Sequence, residues 1–349
     1  MNCNVIDLAK VDWEYLDQFA DRTVFQTREW LSFLAETQHA QPLVLELREN
    51  GRLIGYFSGL TFRKFGIKIL GSPFPGWTTP YMGFNLLPGA SRSAALSAVR
   101  DLAFTDIGCH YLEISDPYFT PDDGQAQDLP TSYFKSYRTC LTDSEPEILK
   151  RMSKSCRWSI GTAEKRGMKF EEAHDLEFAD EYYEQLIDVF AKQHLVPTYG
   201  VGHVRALIKH LEPTGRLLLV RARDPQKKCI ATGIFVGYNK IAEFWGNASF
   251  RASQSFRPNE AMQWFAIRHW KNRGMEMYDW GGENPYKEKY GGVPFAVPRF
   301  TVARYKLLIS FRDGAQKLFR GQQRLRGWLQ GKKNRTAPPP EREPAHDAQ

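Results

Sequence analysis

The first 140 residues alternate between helical and strand-like spacing of apolar positions. Residues 14–21 have a helical pattern, and in FQTREWLSFLAET the positions Phe25, Trp30, Phe33 and Leu34 recur at helical intervals. PLVLELR (42–48) and RLIGYFSGLTFR (52–63) read as strands joined by ENG (49–51), a hairpin turn signal. IKIL (67–70) follows through Phe65–Gly66. Residues 72–88, rich in Pro, Gly and aromatics, are too punctuated to predict regular structure. Residues 91–104 read as a helix, HYLEIS (110–115) as a strand, and the acidic, proline-containing stretch 116–130 as a loop.

The second part repeats this grammar. Helices are expected over 147–166, 180–193 and 204–211, with the short strand MKFEEA between the first two. RLLLVRAR (216–223), CIATGIFVGY (229–238) and KIAEFWGNAS (240–249) are strands, and 258–273 is a helix. MEMYDWGG (275–282) and RFTVARYKLL (299–308) are strands on either side of a Gly-rich loop. LVLELRENGRLIGYFSGL and LLLVRARDPQKKCIATGIFVGY share one layout, so the chain reads as two copies of a mixed α/β unit. The 258–273 helix opens with Pro258, suited to a first helical position, and its body AMQWFAIRHW is apolar around most of its circumference. A strand leading into a buried helix leaves free N–H groups and a positive dipole end, a ready phosphate site. Arg251 and Arg257 lie in the loop before it; the plainer reading is two solvated arginines on a turn.

Composition adds limits. With 349 residues, 42% hydrophobic and 25% charged, the chain is of ordinary globular composition and long enough for two domains. No apolar window approaches the length of a membrane span, and the first residues lack a signal-peptide pattern. Five scattered cysteines match no zinc or redox spacing, and reduced thiols in a cytoplasmic protein are expected. The net charge of +7 is uneven: residues 311–335 carry eight Lys/Arg against Asp313 alone, and the first 310 residues net only +2. The high pI therefore reports a tail, and a DNA-binding core is not expected.

Residues 146–308 resemble the GNAT-superfamily acyltransferase domain of FemAB-like and CelD-type proteins. The resemblance rests on KSCRWSIGTAEKRGM (154–168), VFAKQHLVPTYG (189–200), LLLVRARDPQKKCIATGIFVGY (217–238), FWGNASFRASQSFRPNEAMQWFAIRHWKNRGMEMYDWGG (244–282) and KEKYGG (287–292). FQTREW (25–30), GRLIGYFSGL (51–60) and SPFPGWTTPYMGF (72–84) resemble the N-terminal GNAT-like unit of the same proteins. The resemblance implies an α+β (mixed α/β) fold of two tandem GNAT-like domains, residues 1–145 and 146–310, each a twisted mixed sheet flanked by helices. It also implies acyl or aminoacyl transfer to an amine, or less often a hydroxyl, of a sugar, peptide or cell-envelope precursor. The Q/R-x-x-G-x-G/A pyrophosphate loop of ordinary acetyl-CoA enzymes is absent, with SFRASQSFRPN in its place. The co-substrate is accordingly acyl-CoA, acyl carrier protein or aminoacyl-tRNA, with no tightly bound cofactor and no metal.

Strand alternation places Glu243, Trp245 and Asn247 on one face, and the resemblance to GNAT folds implies that the strand carrying Asp279 splays from this one to admit the acyl donor. Glu243 and Asp279 are candidates for general base or ammonium ligand; the alternative is a carboxylate satisfied by a neighbouring Arg. Tyr290 would protonate the leaving group, and Lys287 and Lys289 would close a loop over an anion, unless KEKYGG is an ordinary charged turn. Ser249, Arg251, Arg257 and Asn259 are the donor-binding set. Lys154 and Arg157 would meet an anionic substrate, or simply form a solvated helix face. His194, Tyr199, Trp77 and Tyr81 would line the acceptor cleft, or serve as structural groups.

In residues 311–335, Phe311, Ala315, Leu318, Phe319, Leu325, Trp328 and Leu329 recur at helical spacing among the cations. This basic amphipathic pattern suits an anionic inner-membrane surface near a lipid-linked acceptor, packing on the second domain, or tRNA. Residues 336–349 read as a disordered end. The expectation is a cytoplasmic, membrane-peripheral N-acyltransferase acting on a small-molecule or lipid-linked saccharide or peptide. The alternatives are a FemAB-type aminoacyltransferase using charged tRNA and a non-catalytic GNAT-like module in polysaccharide assembly.

Overall fold

The computed structural model describes residues 1–349 except 121, 122, 124–128, 193, 283, 306, 311, 313, 315–320 and 323–349. The amphipathic pattern of 311–335 and the expected disordered end therefore lie outside the described residues. The strands are β1 (Asn2–Ile6), β2 (Gln41–Glu49), β3 (Arg52–Lys64), β4 (Ile67–Ser72), β5 (Gly83–Leu86), β6 (Tyr111–Ser115) and β7 (Thr131–Cys140). They continue as β8 (Lys169–Ala173), β9 (Leu217–Arg223), β10 (Cys229–Tyr238), β11 (Ile241–Ser249), β12 (Met277–Asp279) and β13 (Val293–Ala303). The α-helices are α1 (Trp13–Leu16), α2 (Arg28–Gln38), α3 (Arg92–Thr105), α4 (Glu145–Arg151), α5 (Lys154–Lys165), α6 (Glu177–Lys192), α7 (Val201–Leu211) and α8 (Pro258–Asn272).

All strands join one mixed sheet in the order β1-β2-β3-β4-β6-β13-β7-β12-β11-β10-β9-β8, with β5 on β3. Read inward from either end, the order gives the same plan: four strands in antiparallel succession, a parallel fifth, then a strand from the opposite half. β13 pairs antiparallel with β6, and β7 pairs antiparallel with β12. β7 and β13 pair with each other at the centre, from Thr131–Phe300 to Arg138–Val293. The two halves thus exchange their last strands reciprocally.

One face of the sheet carries a single core that spans both halves, with Leu31 and Leu34 of α2, Phe178 and Tyr182 of α6, and Val204 and Leu207 of α7. The other face carries two cores, one under α3 and one under α5 and α8. α8 sits close to β10 because Gly233 and Gly237 lack side chains. A Cβ at either would strike Met262 or the Trp270 ring.

Several local readings differ from expectation. The single helix expected over 147–166 is two: Ser153 breaks it by accepting from Cys156 N and capping α5. The punctuated stretch 72–88 contains β5, four buried residues on the edge of β3. The last strand begins at Val293, inside the expected loop, and ends at Ala303. β7, TSYFKSYRTC, is a central strand for which the apolar pattern gave no sign.

Candidate functional site

β11 and β12 pair in parallel over three positions only, ending at Glu243–Asp279. β11 runs on to Ser249 against β10 alone, so its other edge from Phe244 onward faces no strand among the described residues. Gly281 and Gly282 turn the chain away after β12, with φ of 56° and 59°. A Cβ on Gly281 would lie 3.2 Å from Glu243 Oε1 and from the Phe244 carbonyl oxygen, so this close approach needs glycine. The result is a wedge whose apex carries two registered carboxylates.

Asp279 is fully buried and surrounded by donors. Its Oδ1 accepts from Ser136 Oγ (2.8 Å) and Gly281 N (2.9 Å), and its Oδ2 from Arg138 Nε and Tyr81 OH (both 3.0 Å). Four donors suit an acceptor-only carboxylate. Tyr81 OH also lies 3.3 Å from Glu243 Oε2. A phenol has one proton, so it donates to only one of the two carboxylates. Burial, then the charge of Asp279, push the Glu243 carboxyl well above its ordinary range. A protonated Glu243 donates to the Tyr81 oxygen while Tyr81 donates to Asp279, and the array is then complete. Lys287 is buried beside this group, with its Nζ donating to the Trp280 carbonyl. Burial lowers its pKa to about 8 against the pull of Glu243 and Asp279.

A second wall is aromatic. Trp245 is the extra residue of a β-bulge: Phe244 faces Phe235 and Gly246 faces Ile234. The bulge breaks the alternation expected from the sequence. Trp245 stays on the carboxylate side with Tyr182, Tyr199 and His203, whose ring lies 21° from parallel to it at 6.1 Å. Asn247 is instead turned to α8, where its amide donates to Asn259 Oδ1 at 3.2 Å. Gly246 leaves room for the Tyr182 hydroxyl, 2.8 Å from where a Cβ would stand. Tyr182 and Tyr199 hydroxyls are 3.1 Å apart. His203, near the start of α7, meets Thr78 Oγ1 at 3.1 Å, and burial lowers its pKa to about 4.

The donor-side residues are distributed differently. No side chain caps the start of α8, and Arg257 precedes it in the left-handed conformation with its guanidinium 5.2 Å from the Trp158 ring centre. Arg251 is paired through its N and Nε to Asp188, and Ser249 Oγ is buried and accepts from Gln254. Arg157 is not turned to a substrate: its guanidinium caps the carbonyls of Leu149, Lys150 and Met152 at the end of α4. Lys154 is exposed on the first turn of α5, and His194 is exposed at the end of α6. Lys289 bonds Glu260 Oε1 at 2.6 Å. Tyr290 is buried, stacked on Trp280 at 4.3 Å in the core under α8, on the face opposite Asp279. Trp77 is buried among Phe62 and Phe74.

The structure therefore brings together Glu243, Asp279, Tyr81, Lys287, Trp245 and Tyr199, and keeps Arg157, Tyr290, His194 and Trp77 apart from them. Sequence reasoning missed Ser136, Arg138 and His203. The available signal was β7 itself, where Ser136, Arg138 and Thr139 punctuate a strand-length run. Among the described residues no group of His, Cys, Asp and Glu forms a metal site, and all five cysteines are unbridged.

Residues 150–288 match the family described as Acetyltransferase (GNAT) domain. No curated protein matches the chain in sequence. Among solved structures, FemX superposes with a TM-score of 0.71 at 13% identity, covering 89% of this chain and 99% of FemX. A tandem GNAT protein from the clavulanic acid biosynthesis pathway superposes at 0.51 with 12% identity, covering 86% and 98% of the two chains. The L-PGS of Bacillus licheniformis gives 0.51 at 10% identity, covering 84% and 96%.

Proposed function

We propose that this GNAT-superfamily acyltransferase, with the fold of FemX, transfers an acyl group from a thioester to an amine on a cell-envelope saccharide or peptide. The observation that carries the reading is the Glu243–Tyr81–Asp279 array at the apex of the open β11/β12 wedge. The unpaired edge of β11 offers backbone groups to the donor, as a strand edge does to an added strand. The uncapped amides of α8 and Arg257 suit the donor's phosphates.

The acceptor ammonium enters beside Trp245 and Tyr199, which give a sugar ring or an aliphatic chain an apolar wall. It loses a proton to the carboxylate array, directly or through Tyr81. The amine nitrogen then forms a bond to the thioester carbon, the C–S bond breaks, and the nitrogen sheds its remaining extra proton, which restores Lys287 after that lysine has protonated the thiolate. Lys287 supplies a proton to the leaving thiolate; its lowered pKa makes it a better acid than an ordinary lysine, and it replaces Tyr290, which lies behind the sheet. No covalent enzyme intermediate is needed, and no cysteine stands in the array.

A second reading, aminoacyl transfer from charged tRNA, is favoured by the extent of the superposition on FemX. Incubation with labelled acetyl-CoA, longer acyl-CoAs and charged tRNA, each with a panel of amino sugars and lysine peptides, separates the two. Label moving from a thioester in wild type and not in Asp279→Asn supports the first. Label moving only from tRNA replaces it with the second, and transfer unaffected by Asp279→Asn overturns the site.

A further inference from the structure

Helix α5 buries Cys156, Ser159 and Ala163. Cys156 and Ala163 belong to the core under α8. Trp158 lies on the opposite face and is 58% exposed, although an indole is ordinarily well covered. Its position is nevertheless fixed. Arg166, just after α5, donates through Nη1 to the Ser255 carbonyl and ties the helix to the segment before α8. The Arg257 guanidinium lies over the Trp158 ring, 5.2 Å from its centre.

The charges around this ring are cations without counter-charges. Lys154 stands one turn before Trp158 on the same exposed face of α5. Among the described residues neither Lys154 nor Arg257 pairs with a carboxylate. The acid in the first turn of α8, Glu260, is taken by Lys289. Trp158 buries little area, so packing does not account for it. A base stacks on an aromatic face, and the phosphates that accompany a base meet the cations. The location adds a length. Asn247, which bonds Asn259 at the start of α8, is four strand positions beyond Glu243, about 13 Å along β11. A nucleotide at Trp158 therefore needs an arm to bring its acyl group to the carboxylate array.

We propose that Trp158 and Arg257 form an adenine-nucleotide platform that holds the far end of an acyl-CoA donor. This rests on the thioester reading above and names the part of the donor that is recognised. Adenine stacks on the indole face that Arg257 does not cover, the diphosphate meets Arg257, and the ribose 3′-phosphate meets Lys154. The pantetheine arm then spans the distance to the apex of the wedge. Charged tRNA carries its ester on the same ribose as its terminal adenine, too short a link for this span. An acyl carrier protein presents phosphopantetheine without adenosine and gains nothing from Trp158.

The test is titration calorimetry of the full chain with coenzyme A, dephospho-coenzyme A and 4′-phosphopantetheine. Wild type is expected to bind coenzyme A about tenfold more tightly than phosphopantetheine. Trp158→Ala loses that advantage and leaves phosphopantetheine affinity unchanged, whereas Trp158→Phe, which keeps an aromatic face, retains most of it. Lys154→Gln weakens coenzyme A about threefold and leaves dephospho-coenzyme A as it was. All these side chains are exposed, and an unchanged melting temperature verifies folding. Coenzyme A binding undiminished in Trp158→Ala overturns this proposal alone and leaves acyl transfer from a thioester standing. Wild type that binds none of the three, or binds an RNA ending in CCA in their place, overturns both.

Discussion

The two halves place equivalent strands at equivalent points of the sheet and use them in opposite ways. In the C-terminal half the parallel pair β11/β12 ends at Glu243–Asp279 and opens. In the N-terminal half the matching pair β4/β6 carries Gly71–Glu113 at that level and extends one pair further, to Ser72–Ile114. There the space is filled. The Phe74 backbone and Cβ lie against Gly71, so that a Cβ on the glycine would stand 2.7 Å from Phe74 Cβ. Ser72 Oγ donates to the Ser58 carbonyl at 2.5 Å and accepts from Gly83 N. Where β11 leads to a turn and α8, β4 leads to the irregular segment that carries Tyr81 across to Asp279 and Thr78 to His203. One wedge is closed by its own chain, and that chain completes the other. A shared strand plan does not make a shared activity; the groups at the fifth strand do.

The largest expected effect separates the two carboxylates. Asp279→Asn lowers kcat/KM about a thousandfold, whereas Glu113→Gln changes it less than about twofold. Glu113 is buried with Tyr111 and Arg299, and a comparable loss there would break the contrast between the halves. Tyr81→Phe, which removes the hydroxyl donated by the N-terminal half, lowers kcat about tenfold to a hundredfold with the melting temperature little changed. A wild-type rate in this variant would return the site to the C-terminal half alone.

The closed and open wedges also differ sterically. Gly71→Ala meets backbone and is expected to destabilise by about 2–3 kcal/mol in urea unfolding. Gly246→Ala meets only the end of the Tyr182 side chain and costs about 1 kcal/mol. The reverse ranking would show the first wedge to be the slack one. Lys287 must be protonated to act as an acid, so kcat falls as pH rises through about 8, and Lys287→Arg moves that limb upward. A graded effect of pH concerns the contact between halves at His203. Its folded pKa of about 4 lies below the ordinary value, so the unfolded chain binds the proton first. Stability is full above about pH 6.5 and declines toward pH 4, by on the order of 3 kcal/mol. His203→Gln flattens that decline in thermal melts across the range.

Much of the C-terminal half was legible because its chemistry sits on strands whose apolar neighbours mark them. Glu243 stands out in KIAEFWGNAS, and Asp279 in MEMYDWGG. β7 was not legible for the opposite reason. Its inward positions Ser136 and Arg138 serve Asp279 instead of a core, so its apolar alternation is broken where it matters most. The bulge at Trp245 was equally hidden, because one inserted residue reverses the facing of Asn247 without altering composition. Periodicity reports which face a residue takes within its own strand. It is silent about which strand lies alongside, and so the reciprocal placement of β7 and β13 could not be read from it.

That placement governs how the molecule is born. A ribosome that has released residues 1–145 has delivered β6 but not the strand that flanks it, which emerges about 150 residues later. β7, already made, likewise waits for β12. The nascent chain therefore carries three unmated strand borders, one on β6 and both on β7, until β12 and β13 are made, a state open to wrong partners. Severing the polypeptide near residue 145 would leave neither piece self-sufficient, and supplying both pieces together would let each mend the other.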